Sequence, residues 1–83
     1  MNVDRTSLAQ WVVRYLANLL GIDELDVNLR KGIGDYGLDS ADAVIMAASL
    51  EEHFAIEVEP SIFLEHDRLQ EMIDALAAEP AVT

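Results

Sequence analysis

The sequence predicts an all-α domain, three long helices and one short one packed as a four-helix bundle. Three observations carry that expectation. Apolar residues recur at the spacing of a buried helix face in three segments, Leu8–Leu19, Ala43–Phe54 and Leu69–Leu76. The one alternating stretch, Ala55-Ile56-Glu57-Val58-Glu59, has no second strand to pair with and reads as an extended connector. Finally, 83 residues at 52% hydrophobic content allow one thin core and no second one. A single domain over 1–83 is expected, folded over about 6–78, with a frayed tail at 79–83.

Each element has its own signal. Ser7-Leu8-Ala9-Gln10 has the form of a capping box, so the first helix is expected from Thr6 or Ser7 to Leu20. Its inner face is Leu8, Val12, Tyr15, Leu16 and Leu19, with Trp11 at the edge of the stripe, and Gly21 supplies a left-handed stop. Residues 22–38 lack periodicity and read as a long loop pinned by Ile22, Leu25, Val27, Leu29, Ile33 and Leu38. Loops of this length are uncommon inside small domains and often functional. The second helix is expected from Ser40 to near Phe54, with Ala43, Met46, Ala47, Leu50 and Phe54 facing inward. Pro60-Ser61 opens a short helical turn through Ile62, Phe63 and Leu64. Asp67-Arg68-Leu69-Gln70 resembles a second capping box, after which Leu69, Met72, Ile73 and Leu76 form the last apolar face. Glu79-Pro80 is expected to end that helix, leaving Ala81-Val82-Thr83 to fray.

Charge and composition narrow the function. The formal charge is −11, and the segment from Gly32 to Asp67 holds nine acids with no Lys or Arg. That balance opposes nucleic-acid binding, which needs cations for phosphates, and favours basic protein surfaces. With no cysteine, disulfides and thiolate metal sites are excluded. No apolar stretch approaches the ~20 residues of a membrane span, and Met1-Asn2-Val3-Asp4-Arg5 lacks the features of a signal peptide. A cytoplasmic, monomeric protein without membrane attachment is expected.

Gly37-Leu38-Asp39-Ser40 is the most informative motif, because it places a hydroxyl where a helix begins. A nucleophilic role would need a base within hydrogen-bond reach, and His53 lies thirteen residues further along the same helix, about 20 Å away at 1.5 Å per residue. His66 is not excluded by spacing; both histidines read as partly exposed structural residues. Gly32-Ile33-Gly34-Asp35-Tyr36-Gly37 matches the letters G-x-G-x-x-G, but no buried strand precedes it and three aspartates would repel a pyrophosphate. An EF-hand fails at Asp26-Val27-Asn28-Leu29-Arg30, where a cation stands in place of the third ligand. Two readings of Ser40 stay open: a plain helix cap, or an attachment point for a phosphate ester, which a helix N-terminus stabilises. Behind it, Ala41, Ile45, Ala48 and Glu52 share the outward face of the helix, flanked by Asp42 and Glu51. A small apolar stripe rimmed by acids suits a partner-docking helix.

Taken together, these residues resemble the acyl carrier protein family. Gly37-Leu38-Asp39-Ser40 is similar to the family's D-S-L-type attachment motif, and Leu50-Glu51-Glu52-His53-Phe54 to its L-E-x-x-F helix ending. The preceding helix and loop, the short helix at Pro60–Leu64 and the final helix complete a likeness over about residues 6–78. The resemblance implies an acyl-carrier-protein-like bundle with 4′-phosphopantetheine on Ser40, transferred from coenzyme A by a separate phosphopantetheinyl transferase. Gly37, Leu38 and Asp39 would frame that attachment. The chain would then carry acyl groups as thioesters without catalysing their chemistry, in fatty-acid, polyketide or related biosynthesis. It would present them to loading and processing enzymes whose basic patches meet Ala41, Asp42, Ile45, Ala48 and Glu52. Ala41 stands where the family usually has Leu or Met, Ile45 where many fatty-acid carriers have an acid, and Asp67-Arg68 where polyketide carriers often have Pro-Thr. These departures favour a specialised pathway. The alternatives are a D-alanyl or aminoacyl carrier, and a small acidic helical adaptor with no prosthetic group.

Overall fold

The computed structural model describes residues 4–78, and the expected helix stop at Glu79-Pro80 and the frayed tail lie outside them. Helix α1 spans Arg5–Leu20, α2 Ser40–Phe54, α3 Ile62–Glu65 and α4 Leu69–Ala78. These are three long helices and one short one, as the periodicity predicts, and 56–59 is a connector rather than a strand, although Ala55, expected to be extended, ends α2 in the left-handed region at φ 54°.

The cap of α1 differs from the expected one. Asp4, not Ser7, is the N-cap: its carboxylate accepts from the Ser7 N–H at 3.0 Å and the Ser7 hydroxyl at 3.1 Å. An ionised acceptor one turn upstream outcompetes a neutral hydroxyl, and the helix begins correspondingly earlier. Gly21 ends α1 in the left-handed region, as the sequence indicates.

The core is one cluster. Leu8, Val12 and Leu16 of α1 meet Ala43, Met46, Ala47 and Leu50 of α2, Phe63 of α3, and Leu69, Met72, Ile73 and Leu76 of α4. Ile33 and Val58 join it from the connections. Phe54 and Trp11 pack at the edge, half-buried. Leu19, expected inside, is 49% exposed, while Leu16, Ala17 and Leu20 beside it take the inner side of the helix end. Leu25, expected to pin the loop, is 92% exposed. It sits inside that 3-10 turn, capped by Asp23, where the three-residue repeat turns it outward while Ile22 and Val27 take the inner side.

The long loop is less irregular than its sequence suggests. It contains the Glu24–Asp26 turn and a second 3-10 turn at Ile33–Tyr36. The Tyr36 hydroxyl clasps Asn28, accepting from its N–H at 2.6 Å and donating to its carbonyl at 3.2 Å. The loop also caps α4. The Leu69 and Gln70 N–H groups donate to the Lys31 and Leu29 carbonyls at 2.9 and 2.8 Å, so loop backbone does the capping expected of Asp67. Gly32 lies under this seam, where an added Cβ would stand 2.5 Å from the Asp67 carbonyl oxygen. Close approach, not phosphate binding, accounts for the first glycine of the G-x-G-x-x-G match.

Candidate functional site around Ser40

Gly37 closes the Ile33–Tyr36 turn with φ +75°, a conformation that costs a side chain about 1–2 kcal/mol. Its N–H and that of Leu38 return to the Gly34 and Ile33 carbonyls, at 3.1 Å each. The chain then runs through half-buried Leu38 to extended Asp39 and enters α2. The loop seam and this glycine turn together aim the start of α2.

Asp39 is the N-cap of α2. Its carboxylate accepts from the Asp42 N–H at 3.1 Å, and the Asp42 carboxylate reaches back to the Asp39 N–H at 3.1 Å. This is a capping box with Asp at both ends. The Asp42 N–H bond first, then the link to the Asp42 side chain, hold the Asp39 carboxyl below its ordinary value. Ser40 is therefore the first helical residue and not the cap, which overturns the plain-cap reading. It is exposed, and among the described residues no hydrogen bond engages its hydroxyl. That arrangement fits a tether: the oxygen is accessible, anchored on a 15-residue helix, and held at the end where free backbone N–H groups favour an anion.

The remaining expected site residues fall on α2. Ala41, Ile45, Ala48 and Glu52 are all exposed, with Ile45 at 58%. Val44, 53% exposed, widens the apolar stripe and was missed because it lies beside the strict four-residue row. Asp42 is half-buried and engaged by the cap. Glu51, read as an acidic flank, turns inward: its carboxylate accepts from the Val58 N–H at 2.9 Å and ties the connector to α2. His53 stands in the last turn of α2, beside Phe54 and Trp11. His66 lines the groove between the Ile33–Tyr36 turn and α3 with Leu38, and no hydrogen bond joins it to Ser40 among the described residues. Among those residues, no group of three His, Asp or Glu side chains is placed to hold a metal ion, and no helix is long and apolar enough to cross a membrane.

Comparison with known proteins converges on the same segment. The family described as "Phosphopantetheine attachment site" matches residues 10–76. The chain is 37% identical over 59 residues to polyketide synthase PksM of Bacillus subtilis, covering 71% of this chain and 1% of that protein. It is 35% identical over 73 residues to a phenolphthiocerol/phthiocerol polyketide synthase of Mycobacterium tuberculosis, covering 86% and 4%. It is 28% identical over 79 residues to polyketide synthase PksR of Bacillus subtilis, covering 90% and 3%. The chain thus spans only a few per cent of the length of these relatives. No solved structure matches it. A helical bundle of this order, matched across both its loop and its last helix, belongs to the phosphopantetheine-binding carrier family, whose prosthetic group is covalently attached 4′-phosphopantetheine.

Proposed function

We propose that Ser40 is the attachment residue, loaded from coenzyme A by a separate phosphopantetheinyl transferase, and that the chain carries acyl intermediates of polyketide or related biosynthesis. One observation carries this reading: Asp39 takes the helix cap, and the adjacent Ser40 hydroxyl is left exposed on a rigid helix end. When attached, the group supplies a terminal thiol on which acyl chains ride as thioesters. The protein's own residues do the rest. Gly37 and Leu38 set the turn, Asp39 and Asp42 fix the helix start, and the N-terminus of α2 favours the phosphodiester charge. The face formed by Ala41, Val44, Ile45, Ala48 and Glu52 meets partner enzymes, whose basic patches complement a segment with nine acids and no cation. The polyketide assignment draws support from the similarity to three polyketide synthases.

The test is mass spectrometry after incubation with coenzyme A and a transferase of wide tolerance. One phosphopantetheine mass is gained at Ser40, and Ser40→Ala abolishes it. Loading at another residue, or none under conditions that load a control carrier, refutes the assignment.

A further inference from the structure

At the far end of α2 from Ser40, Trp11 reaches across from α1. Tyr15 covers one face of its indole, stacked at 4.9 Å between centroids. His53 stands 6.2 Å from it, tilted by 36°, and the Phe54 ring crosses at 68° and 6.4 Å. Ser49 and the exposed Glu52 complete the walls of this notch. It sets an aromatic ring beside a carboxylate, a pairing that recognises a cation. Among the described residues neither Lys nor Arg lines it, its one basic side chain being His53, and residues 32–67 contain no Lys or Arg.

We infer that this notch receives an arginine side chain from the basic surface of a partner enzyme, its guanidinium lying between the Trp11 ring and the Glu52 carboxylate. The inference rests on the carrier reading for the nature of the partner. Arginine fits better than lysine, because a planar guanidinium stacks on an indole while its N–H fork reaches a carboxylate. Glu52 is shared with the outward face of α2, so the notch continues that surface onto α1. Ser49 lies nine residues beyond Ser40, about 13 Å along the helix at 1.5 Å per residue. A partner gripping there while its active site meets Ser40 reads two points of the carrier, which fixes orientation as well as encounter.

The experiment uses the full chain with Ser40→Ala, so attachment has no bearing on its outcome. Capped tetra-arginine and tetra-lysine peptides are titrated at low salt and followed by the fluorescence of Trp11, the only tryptophan. The arginine peptide is expected to bind about three- to fivefold more tightly at equal charge. Glu52→Gln should abolish that preference, and Glu71→Gln, which removes the same charge from α4, should retain it. Equal affinities in the Ser40→Ala chain, a preference that survives Glu52→Gln, or one lost equally in Glu71→Gln would each overturn the proposal.

Discussion

Gly32→Ala tests whether the seam between the loop and α4 holds the site in place. The φ of Gly32 is −99°, which alanine adopts freely, so the test is purely steric. The new methyl would stand 2.5 Å from the Asp67 carbonyl oxygen and 3.2 Å from its carbon, with backbone as the obstacle. An ordinary C···O approach is about 3.3 Å, so the loop must retreat by about 0.8 Å. That displacement stretches the Leu69–Lys31 and Gln70–Leu29 bonds, now 2.9 and 2.8 Å, beyond useful length. Two such bonds contribute about 1–3 kcal/mol, against a gain of about 0.4–1 kcal/mol from stiffening the unfolded chain. The net loss is then at most about 2.6 kcal/mol, with a central value of about 1.3 kcal/mol that lowers Tm by about 5–10 °C in a domain of this size. Urea melts followed by circular dichroism measure the loss, and hydrogen exchange at the Leu69 and Gln70 amides localises it. Gly34→Ala, with nothing within 4 Å of its added Cβ, is the control and should cost little. A Gly32→Ala protein within about 0.5 kcal/mol of the parent, with both amides still protected, refutes the reasoning.

Two further outcomes follow from the same geometry. Because the folded Asp39 carboxyl is held below its unfolded value, its stabilisation is present above about pH 4 and is lost as pH falls through the folded value. Acid titration should therefore lower the stability of the parent more steeply than that of Asp39→Asn below pH ~4, and parallel curves would contradict this. Leu50→Ala, at a fully buried position, should cost about 2–5 kcal/mol in urea melts, whereas Leu25→Ala, at 92% exposure, should stay within about 0.5 kcal/mol.

Helix content and core were legible because burial faces repeat at helical spacing: all of Ala43, Met46, Ala47, Leu50, Leu69, Met72, Ile73 and Leu76 are buried. Misplaced residues share a cause, which is that local patterns do not report what competes for the same group. Ser7 has good capping spacing, but Asp4 holds the better acceptor. Asp67 is well placed for α4, but the carbonyls of Leu29 and Lys31 arrive from far upstream in a pairing that no local pattern announces. Leu19 lies at the margin of the apolar face of α1, where Leu16, Ala17 and Leu20 take the inner side, and Leu25 sits in a 3-10 turn that apolar letters alone do not reveal. In the site, the motif Gly37–Ser40 was visible as letters; the assignment of the cap to Asp39 was not. The Trp11 notch was missed because it needs two helices, one of which supplies only a residue read as core edge.

The division of labour between Asp39 and Ser40 leads to the sharpest test of the proposed function. Both residues are good caps, and only one can occupy the position. Asp39 wins because its carboxylate forms a reciprocal pair with Asp42, and Ser40 enters the helix with an uncommitted hydroxyl. Remove the first choice and the second takes over. In Asp39→Ala, Ser40 becomes the best remaining cap, its hydroxyl turns to the backbone N–H groups, and the oxygen to be loaded is withdrawn. Asp39→Asn loses the same negative charge but keeps a side-chain acceptor for the Asp42 N–H. Any difference between the two variants in initial loading rate therefore reports the cap and not the attraction to a basic transferase. Loading should be slower in Asp39→Ala than in Asp39→Asn, and the Ser40 carbon chemical shifts of the alanine variant should leave the helical range. Equal rates, with Ser40 helical in both, would mean that the hydroxyl is free for reasons unrelated to its neighbour.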